Sequence, residues 1–314
     1  MTSDRPPASR PFAVVATFRP DTRLLGLIAS LSADCDVIVV DDGSGRESAD
    51  LYSRASALGA YVVSHGRNRG IAAALNTGVG HSFERGAEAV FTFDQDSQPP
   101  SGFVRDMQRG LVRARRTDGL RPGLLVPEYF ARVRQAHGAE RAPHLFDGRK
   151  VIQSGMLIPR DTWESLGAFR EDYFIDLVDT EYEMRACVAG LDVLAVGGVR
   201  MPHALGRRVR LTLLPGVHAT TSVSTPFRFY YRARNRVVFT RTYVASAPFR
   251  VVGEALIDVA FFGVAALGAR PRGSLLRLLL KGVADGRRGR MGPIPGAVAA
   301  MADGISWDGV EIAE

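Results

Sequence analysis

The feature that most constrains this chain is a succession of short, uninterrupted apolar runs, each closed by a polar turn and followed by helically spaced apolar residues. Phe12 to Thr17 is the first run, Val37 to Val40 the second, Tyr61 to Ser64 the third and Ala89 to Phe93 the fourth. Between them, apolar residues recur at helical spacing over Thr22 to Leu31, Ser48 to Leu58 and Ile71 to Phe83. A strand with one wet face alternates apolar and polar residues, whereas a strand covered on both faces does not. Runs of this kind joined by helical crossovers predict an α/β fold with a mostly parallel central sheet and helices on both faces.

In such sheets ligands gather beyond the carboxyl ends of the strands. There this chain carries Thr17-Phe18-Arg19-Pro20, Asp41-Asp42-Gly43-Ser44, His65-Gly66-Arg67-Asn68-Arg69-Gly70 and Asp94-Gln95-Asp96-Ser97. Asp94 and Asp96 leave the end of a buried strand together and repel each other unless a cation joins them. Oxygen ligands of this kind suit Mg²⁺ or Mn²⁺ beside phosphates. A plain turn uses the same residue types.

Further along, Glu128 to Lys150 shows little periodicity and reads as a loop or an irregular strand pair. A strand is expected at Val151 to Ile158, helices at Arg160 to Leu166 and Asp179 to Val188, and a strand at Val193 to Val196 leading to Met201-Pro202-His203. Beyond Pro226 the pattern turns helical, near Phe227 to Tyr243, Phe249 to Leu267 and Ser274 to Ala284. The expected division is a flexible N-terminus over 1–11, a catalytic domain over 12–225 with halves 12–100 and 101–225, a basic helical segment over 226–290 and a tail over 291–314. Cys35 and Cys187 lie far apart with no ligand spacing, which excludes a disulfide framework or structural zinc and predicts two small buried apolar residues. The first eleven residues lack a signal peptide's apolar core, so the expected location is cytoplasmic. Glu254 and Asp258 inside the apolar stretch Val251 to Ala269 argue against a spanning helix.

The net charge of +7 hides an asymmetry: 24 basic and 26 acidic residues up to His203, 16 and 3 from Ala204 to Arg290, and 0 and 4 from Met291 onward. The basic segment suits an anionic partner, or reflects a chain with 38 Arg and 2 Lys. Its aromatics Phe227, Phe229, Tyr230, Tyr231 and Tyr243 alternate with Arg228, Arg232, Arg234, Arg236 and Arg241, an arrangement equally suited to gripping sugar and phosphate or to packing a core. The leucines and cations from Ser274 to Arg290 suit an anionic membrane surface, an interhelix face or a homodimer contact.

Taken in order, Asp41-Asp42-Gly43-Ser44, the run from Asn68 through Gly70 to Asn76 that opens a helix, Asp94-Gln95-Asp96-Ser97, Ser154-Gly155-Met156, Phe174-Ile175-Asp176-Leu177-Val178-Asp179-Thr180-Glu181 and Pro202-His203 resemble the family 2 glycosyltransferases, which have the GT-A fold. Within them the resemblance is to the rhamnosyltransferase-like branch. It covers about Phe12 to Gly206, together with Phe229-Tyr230-Tyr231-Arg232-Ala233-Arg234-Asn235. The resemblance implies a GT-A domain with a C-terminal helical extension, acting as an inverting, metal-dependent transferase. Such an enzyme moves L-rhamnose from dTDP-β-L-rhamnose to a hydroxyl of a glycan or lipid-linked acceptor in cell-wall or polysaccharide biosynthesis; a UDP donor of galactofuranose or a hexose is the alternative.

The resemblance also assigns roles. Thr17, Phe18, Asp42, Asn68, Gly70, Asn76, Asp94 and Gln95 would hold the nucleotide, with Phe18 against the base and Asp42 accepting its imide N–H. Asp94, Asp96 and His203 would hold Mg²⁺ or Mn²⁺. Asp179 would be the catalytic base, ahead of Asp176 and Glu181, helped by its place at a helix start. Many relatives carry an acidic residue after the glycine that follows this histidine; here Gly206 precedes Arg207-Arg208, which would face diphosphate or solvent. A non-enzymatic nucleic-acid-binding protein is disfavoured because acidic loops at the sheet mouth repel phosphate. A nucleotidyltransferase is disfavoured because no Gly-rich phosphate loop follows the first strand.

Overall fold

A computed structural model describes residues 10–203, 207–214, 217–307 and 309–311. The chain divides into two compact units, one formed by 1–171 and 179–203, the other by 172–178 and 204–314.

The first unit is built on a ten-stranded sheet. Its elements are β1 (Phe12–Thr17), α1 (Arg23–Leu31), β2 (Asp36–Asp41), α2 (Ala49–Ala57), β3 (Tyr61–Ser64), α3 (Ile71–Glu84), β4 (Ala89–Asp94), α4 (Phe103–Arg116), β5 (Pro122–Phe130), β6 (Val133–Arg134), β7 (Ala136–Ala142), β8 (Leu145–Gly148), β9 (Met156–Pro159), α5 (Arg160–Leu166), α6 (Val178–Val188) and β10 (Asp192–Met201). The order across the sheet is β3-β2-β1-β4-β9-β5-β10-β8-β7, with β6 on β5. Strands β3, β2, β1 and β4 are mutually parallel, as their continuous apolar runs require. All six residues of β1 are buried, and α1 turns Leu24, Leu27, Ile28 and Leu31 inward at helical spacing.

Direction in this sheet decides where the site lies. Strand β9 is antiparallel to both β4 and β5, and β10 is parallel to β5, so β10 runs the same way as β4. The residues after β1, β2, β3, β4 and β10, and the loop entering β9, therefore meet at one edge. Two glycines shape that edge. Gly43 has φ +80°, and a Cβ on it would lie 2.3 Å from the Arg67 carbonyl carbon. Gly155 has φ +82° and donates its N–H to the Thr92 carbonyl.

The sequence expectation of a strand over 151–158 is corrected: only Met156–Pro159 is strand. Gln153-Ser154-Gly155 turns the chain out of the sheet, because a left-handed glycine cannot continue a ladder. The stretch from Glu128 to Lys150 forms the end of β5 and the antiparallel margin β6 to β8. Cys35 is buried as expected, but Cys187 is exposed on the last turn of α6.

The second unit comprises the segment 172–178 and β11 (Arg207–Leu214), β12 (Val217–Val223), α7 (Pro226–Tyr243), α8 (Pro248–Gly268), β13 (Ala269–Arg270), α9 (Arg272–Arg287), α10 (Gly296–Asp303), β14 (Ser306–Trp307) and β15 (Gly309–Glu311). The β11–β12 hairpin pairs with β15, which joins 207–223 to this unit, although the sequence changes character only at 226. The core gathers Phe229, Tyr230 and Tyr231 of α7, Leu275, Leu278 and Leu279 of α9, and Val298 and Ala302 of α10.

Candidate active site

Asp94 ends β4, Asp96 follows two residues later, and His203 follows β10 by two residues. Ligand atoms of these three side chains lie within 4.8 Å of one another. His203 Nδ1 is 4.0 Å from Asp96 Oδ1, too far for a hydrogen bond, and the ring packs on Phe130 with centroids 4.7 Å apart. That Nδ1 is buried and has no hydrogen-bond partner among the described residues. A buried ring nitrogen in this state beside two carboxylates is an expensive arrangement by itself, and a hard divalent cation bound by the three side chains would resolve it. The donor set, two carboxylates and one imidazole, suits Mg²⁺ or Mn²⁺.

Gln153, which the sequence reading did not single out, ties this cluster to α6. Its Nε2 donates to Asp94 Oδ1, and its backbone N–H donates to Asp179 Oδ2 at 3.4 Å. Its Oε1 is buried without a hydrogen-bond partner among the described residues. The Thr92 hydroxyl donates to the Gln153 carbonyl, and Ser154 Oγ accepts from the Asp94 N–H, so the loop is anchored on β4. The signal was legible: a polar Gln-Ser-Gly interrupts an otherwise apolar run. Asp179 sits in the first turn of α6, where the positive end of the helix dipole favours a carboxylate, and its Oδ1 accepts the Thr180 N–H at 2.7 Å.

The remaining sequence candidates separate into those that shape the mouth and those engaged elsewhere. The Phe18 ring is 38% exposed, and Gln95 holds the Phe18 peptide by accepting its N–H at 2.8 Å and donating to its carbonyl. Asp42 is buried and accepts the N–H groups of Arg69 (2.9 Å) and Gly70 (2.8 Å), while His65 Nδ1 lies 2.9 Å from its Oδ1. These contacts fold the loop after β3, so the base imide N–H expected at this carboxylate would share it with the protein's own donors. Asn68 completes that loop by accepting the Gly70 N–H.

Thr17 and Asn76 do not join the mouth through their side chains. The Thr17 hydroxyl donates to the Val40 carbonyl and meets Tyr52 Oη inside the sheet. Asn76 brackets the Phe169 peptide, donating to its carbonyl and accepting its N–H. Beneath the mouth, burial raises the Asp41 carboxyl, but hydrogen bonds from Ser44, Ser64 and Tyr52 outweigh it and hold the group below its ordinary range. Burial pushes the Tyr52 hydroxyl up to about 12.

The runner-up carboxylates are committed to ion pairs. Asp176, in the second unit, accepts two hydrogen bonds from Arg228, at 2.6 and 3.2 Å, and Glu181 pairs with Arg185 one turn along α6. The arginines and aromatics of α7 are structural as well. Arg234 is fully buried and donates to the carbonyls of Asp172, Tyr173 and Gly292, and burial lowers its pKa. Asn235 donates to the carbonyls of Tyr173, Ile175 and Asp176. These bonds hold Phe174, Asp176 and Leu177 at φ of 65°, 65° and 60°, a left-handed backbone that such residues seldom adopt unaided. The side chains of Arg207 and Arg208, expected to face diphosphate or solvent, lie outside the described residues.

Comparison with known proteins places this geometry. Residues 13–152 match the family model described as glycosyl transferase family 2. The dTDP-rhamnosyl transferase RfbF of Shigella flexneri is 29% identical over 248 residues, covering 73% of this chain and 79% of that protein. The crystal structure of Staphylococcus aureus TarS 1-349 in complex with UDP-GlcNAc superposes with a TM-score of 0.50 at 12% identity, covering 90% of each chain, a likeness of fold.

Proposed function

We propose that this chain is a family 2 glycosyltransferase and that it transfers L-rhamnose, with inversion, from dTDP-β-L-rhamnose to a hydroxyl of a glycan or lipid-linked acceptor. The observation that carries the reading is the meeting, at one sheet edge, of Asp94, Asp96 and a His203 Nδ1 without a hydrogen-bond partner among the described residues. The choice of sugar is supported by the relationship to RfbF over most of both chains.

Asp94, Asp96 and His203 hold Mg²⁺ or Mn²⁺, which when bound offsets the charge that gathers on a departing diphosphate. Asp179 takes the proton of the acceptor hydroxyl as its oxygen attacks the anomeric carbon opposite the diphosphate. The Gln153 and Thr180 N–H groups orient the Asp179 carboxylate at the start of α6. Phe18, its peptide held by Gln95, offers an exposed ring to the base at the same edge.

The test is a donor panel. With the full chain and Mn²⁺, nucleoside diphosphate should be released from dTDP-β-L-rhamnose faster than from UDP-galactofuranose or a UDP-hexose. Preference for a UDP donor would keep the transferase and replace the sugar. The work of the enzyme is expected in the cytoplasm, where nucleotide sugars are made.

A further inference from the structure

Helix α8 is inverted relative to a helix packed on a globular core. Arg250, Glu254 and Asp258 recur every four residues on its packed side. Asp258 accepts from Arg232 (2.5 and 2.8 Å) and Arg236 (2.5 Å) of α7, and Glu254 accepts from Arg236 and Arg250. Its outward side carries Phe249, Val252, Leu256, Ile257, Val259 and Leu267, with Phe249 94% exposed and Leu256, Ile257 and Val259 each above 60%. Single exposed apolar residues are ordinary, but this stripe runs about 27 Å along one helix without a charged side chain.

The surroundings say what covers it. Arg270 and Arg272 both donate to the Leu267 carbonyl, which sets two guanidiniums at the end of the stripe. On α9, Leu276 and Leu280 are exposed one turn apart, with exposed Arg277 between them in sequence. The unit formed by 172–178 and 204–314 carries 16 basic and 9 acidic residues, and Glu254, Asp258 and Asp285 are each paired with a cation of the same unit. An apolar stripe bordered by guanidiniums on a unit of net positive charge complements an anionic lipid surface. A symmetric second copy would set such cations against each other.

We propose that the outward face of α8, with Leu276 and Leu280, docks this protein in the interfacial layer of an anionic bilayer, α8 lying in the membrane plane. Although α8 is long and apolar enough to cross a membrane, its ion pairs fasten one side to α7, and crossing would strip them into hydrocarbon. The contact falls on α8 rather than on the whole stretch from Ser274 to Arg290, because Leu275, Leu278 and Leu279 belong to the unit's core.

The experiment is flotation of the full chain with phosphatidylcholine vesicles, with and without phosphatidylglycerol, read beside the melting temperature and the dTDP and Mn²⁺ melting shift. Wild type should float with phosphatidylglycerol and progressively less as salt rises. Leu256→Ser with Ile257→Ser keeps every charge and should lower partition about tenfold or more at an unchanged Tm and nucleotide shift. Arg277→Gln should lower it about fivefold. No flotation, equal flotation on neutral vesicles, or retained binding by the serine variant would overturn the proposal. So would a dimer in sedimentation that the serine substitutions dissociate, since a second copy would then be the occupant. The nucleotide shift reports on the site separately, so failure of docking and failure of the transferase reading are told apart.

Discussion

Two polar clusters in this chain look alike in sequence and differ in chemistry. At the mouth of the sheet, Asp94, Asp96 and His203 converge with a buried ring nitrogen, and Gln153 with a carbonyl oxygen, that have no hydrogen-bond partner among the described residues. Along α7, Arg232 and Arg236 meet Asp258, while Arg234 and Asn235 hold the backbone of 172–176. In the second cluster each of these guanidiniums and carboxylates has a partner within its own unit. The first brings two carboxylates to a ring nitrogen without a partner among the described residues, a donor set that a bound cation would complete.

The sharpest way to break this comparison is to remove a member of each cluster and read activity and stability together. Asp96→Ala should bring transfer to background and abolish the metal-dependent part of nucleotide stabilisation, with the melting temperature of the free protein within a few degrees of wild type; melting curves with dTDP and Mn²⁺ check it. Asp179→Asn keeps size and can still accept the Thr180 N–H, so donor binding should persist while kcat falls about 10²- to 10⁴-fold. If Asp179→Asn turns over normally, proton transfer belongs to another group and the assignment of this carboxylate is wrong.

In the scaffold cluster the expected effect is reversed. Asp258→Ala leaves the Arg236 guanidinium, whose side chain is 10% exposed, without one carboxylate, and should destabilise the protein by about 3 kcal/mol. That is the lower end of the usual range, because Arg232 is 36% exposed and can hydrate. Chemical denaturation measures the loss, and the dTDP and Mn²⁺ shift of the folded fraction should be unchanged. A variant that melts normally but loses nucleotide binding would erase the distinction.

What was legible in the sequence follows the same line. Continuous apolar runs announced β1, β2 and β4, and the residues after them announced the mouth, because a covered strand has no polar residue until it leaves the sheet; β3 shows the same short run at the sheet's edge, where it is not fully covered. Two things were hidden. Asp42 reads as a ligand contact, yet much of its hydrogen bonding belongs to the loop after β3. The basic and aromatic helix start reads equally as a substrate grip or a packed core, and what it does not foretell is that Arg234 and Asn235 bond the backbone of a segment whose residues 174, 176 and 177 are left-handed. Local pattern reports which residues are polar, not which partners tertiary structure supplies.

The smallest expected effect tests the network under the mouth. The folded-state pKa of Asp41 lies below its ordinary value of 3.8, so its stabilisation is present above pH 3.8 and is lost as pH falls through the lower folded value. Asp41→Asn should therefore flatten the slope of stability against pH below about pH 4, in urea titrations, without changing its sign near neutrality. An unchanged slope would mean that Ser44, Ser64 and Tyr52 do not favour the ionised form.

The most direct measurement of the central claim is the melting temperature of the full chain with dTDP, in Mn²⁺ and in chelator. At a hundred times its Kd a bound ligand adds about 2.7 kcal/mol of stability. The account predicts that dTDP raises the melting temperature of the wild type strongly in Mn²⁺ and little in EDTA, and that Asp96→Ala in Mn²⁺ behaves like the wild type in EDTA. Equal stabilisation by dTDP in Mn²⁺ and in EDTA, or no stabilisation in either, would contradict it.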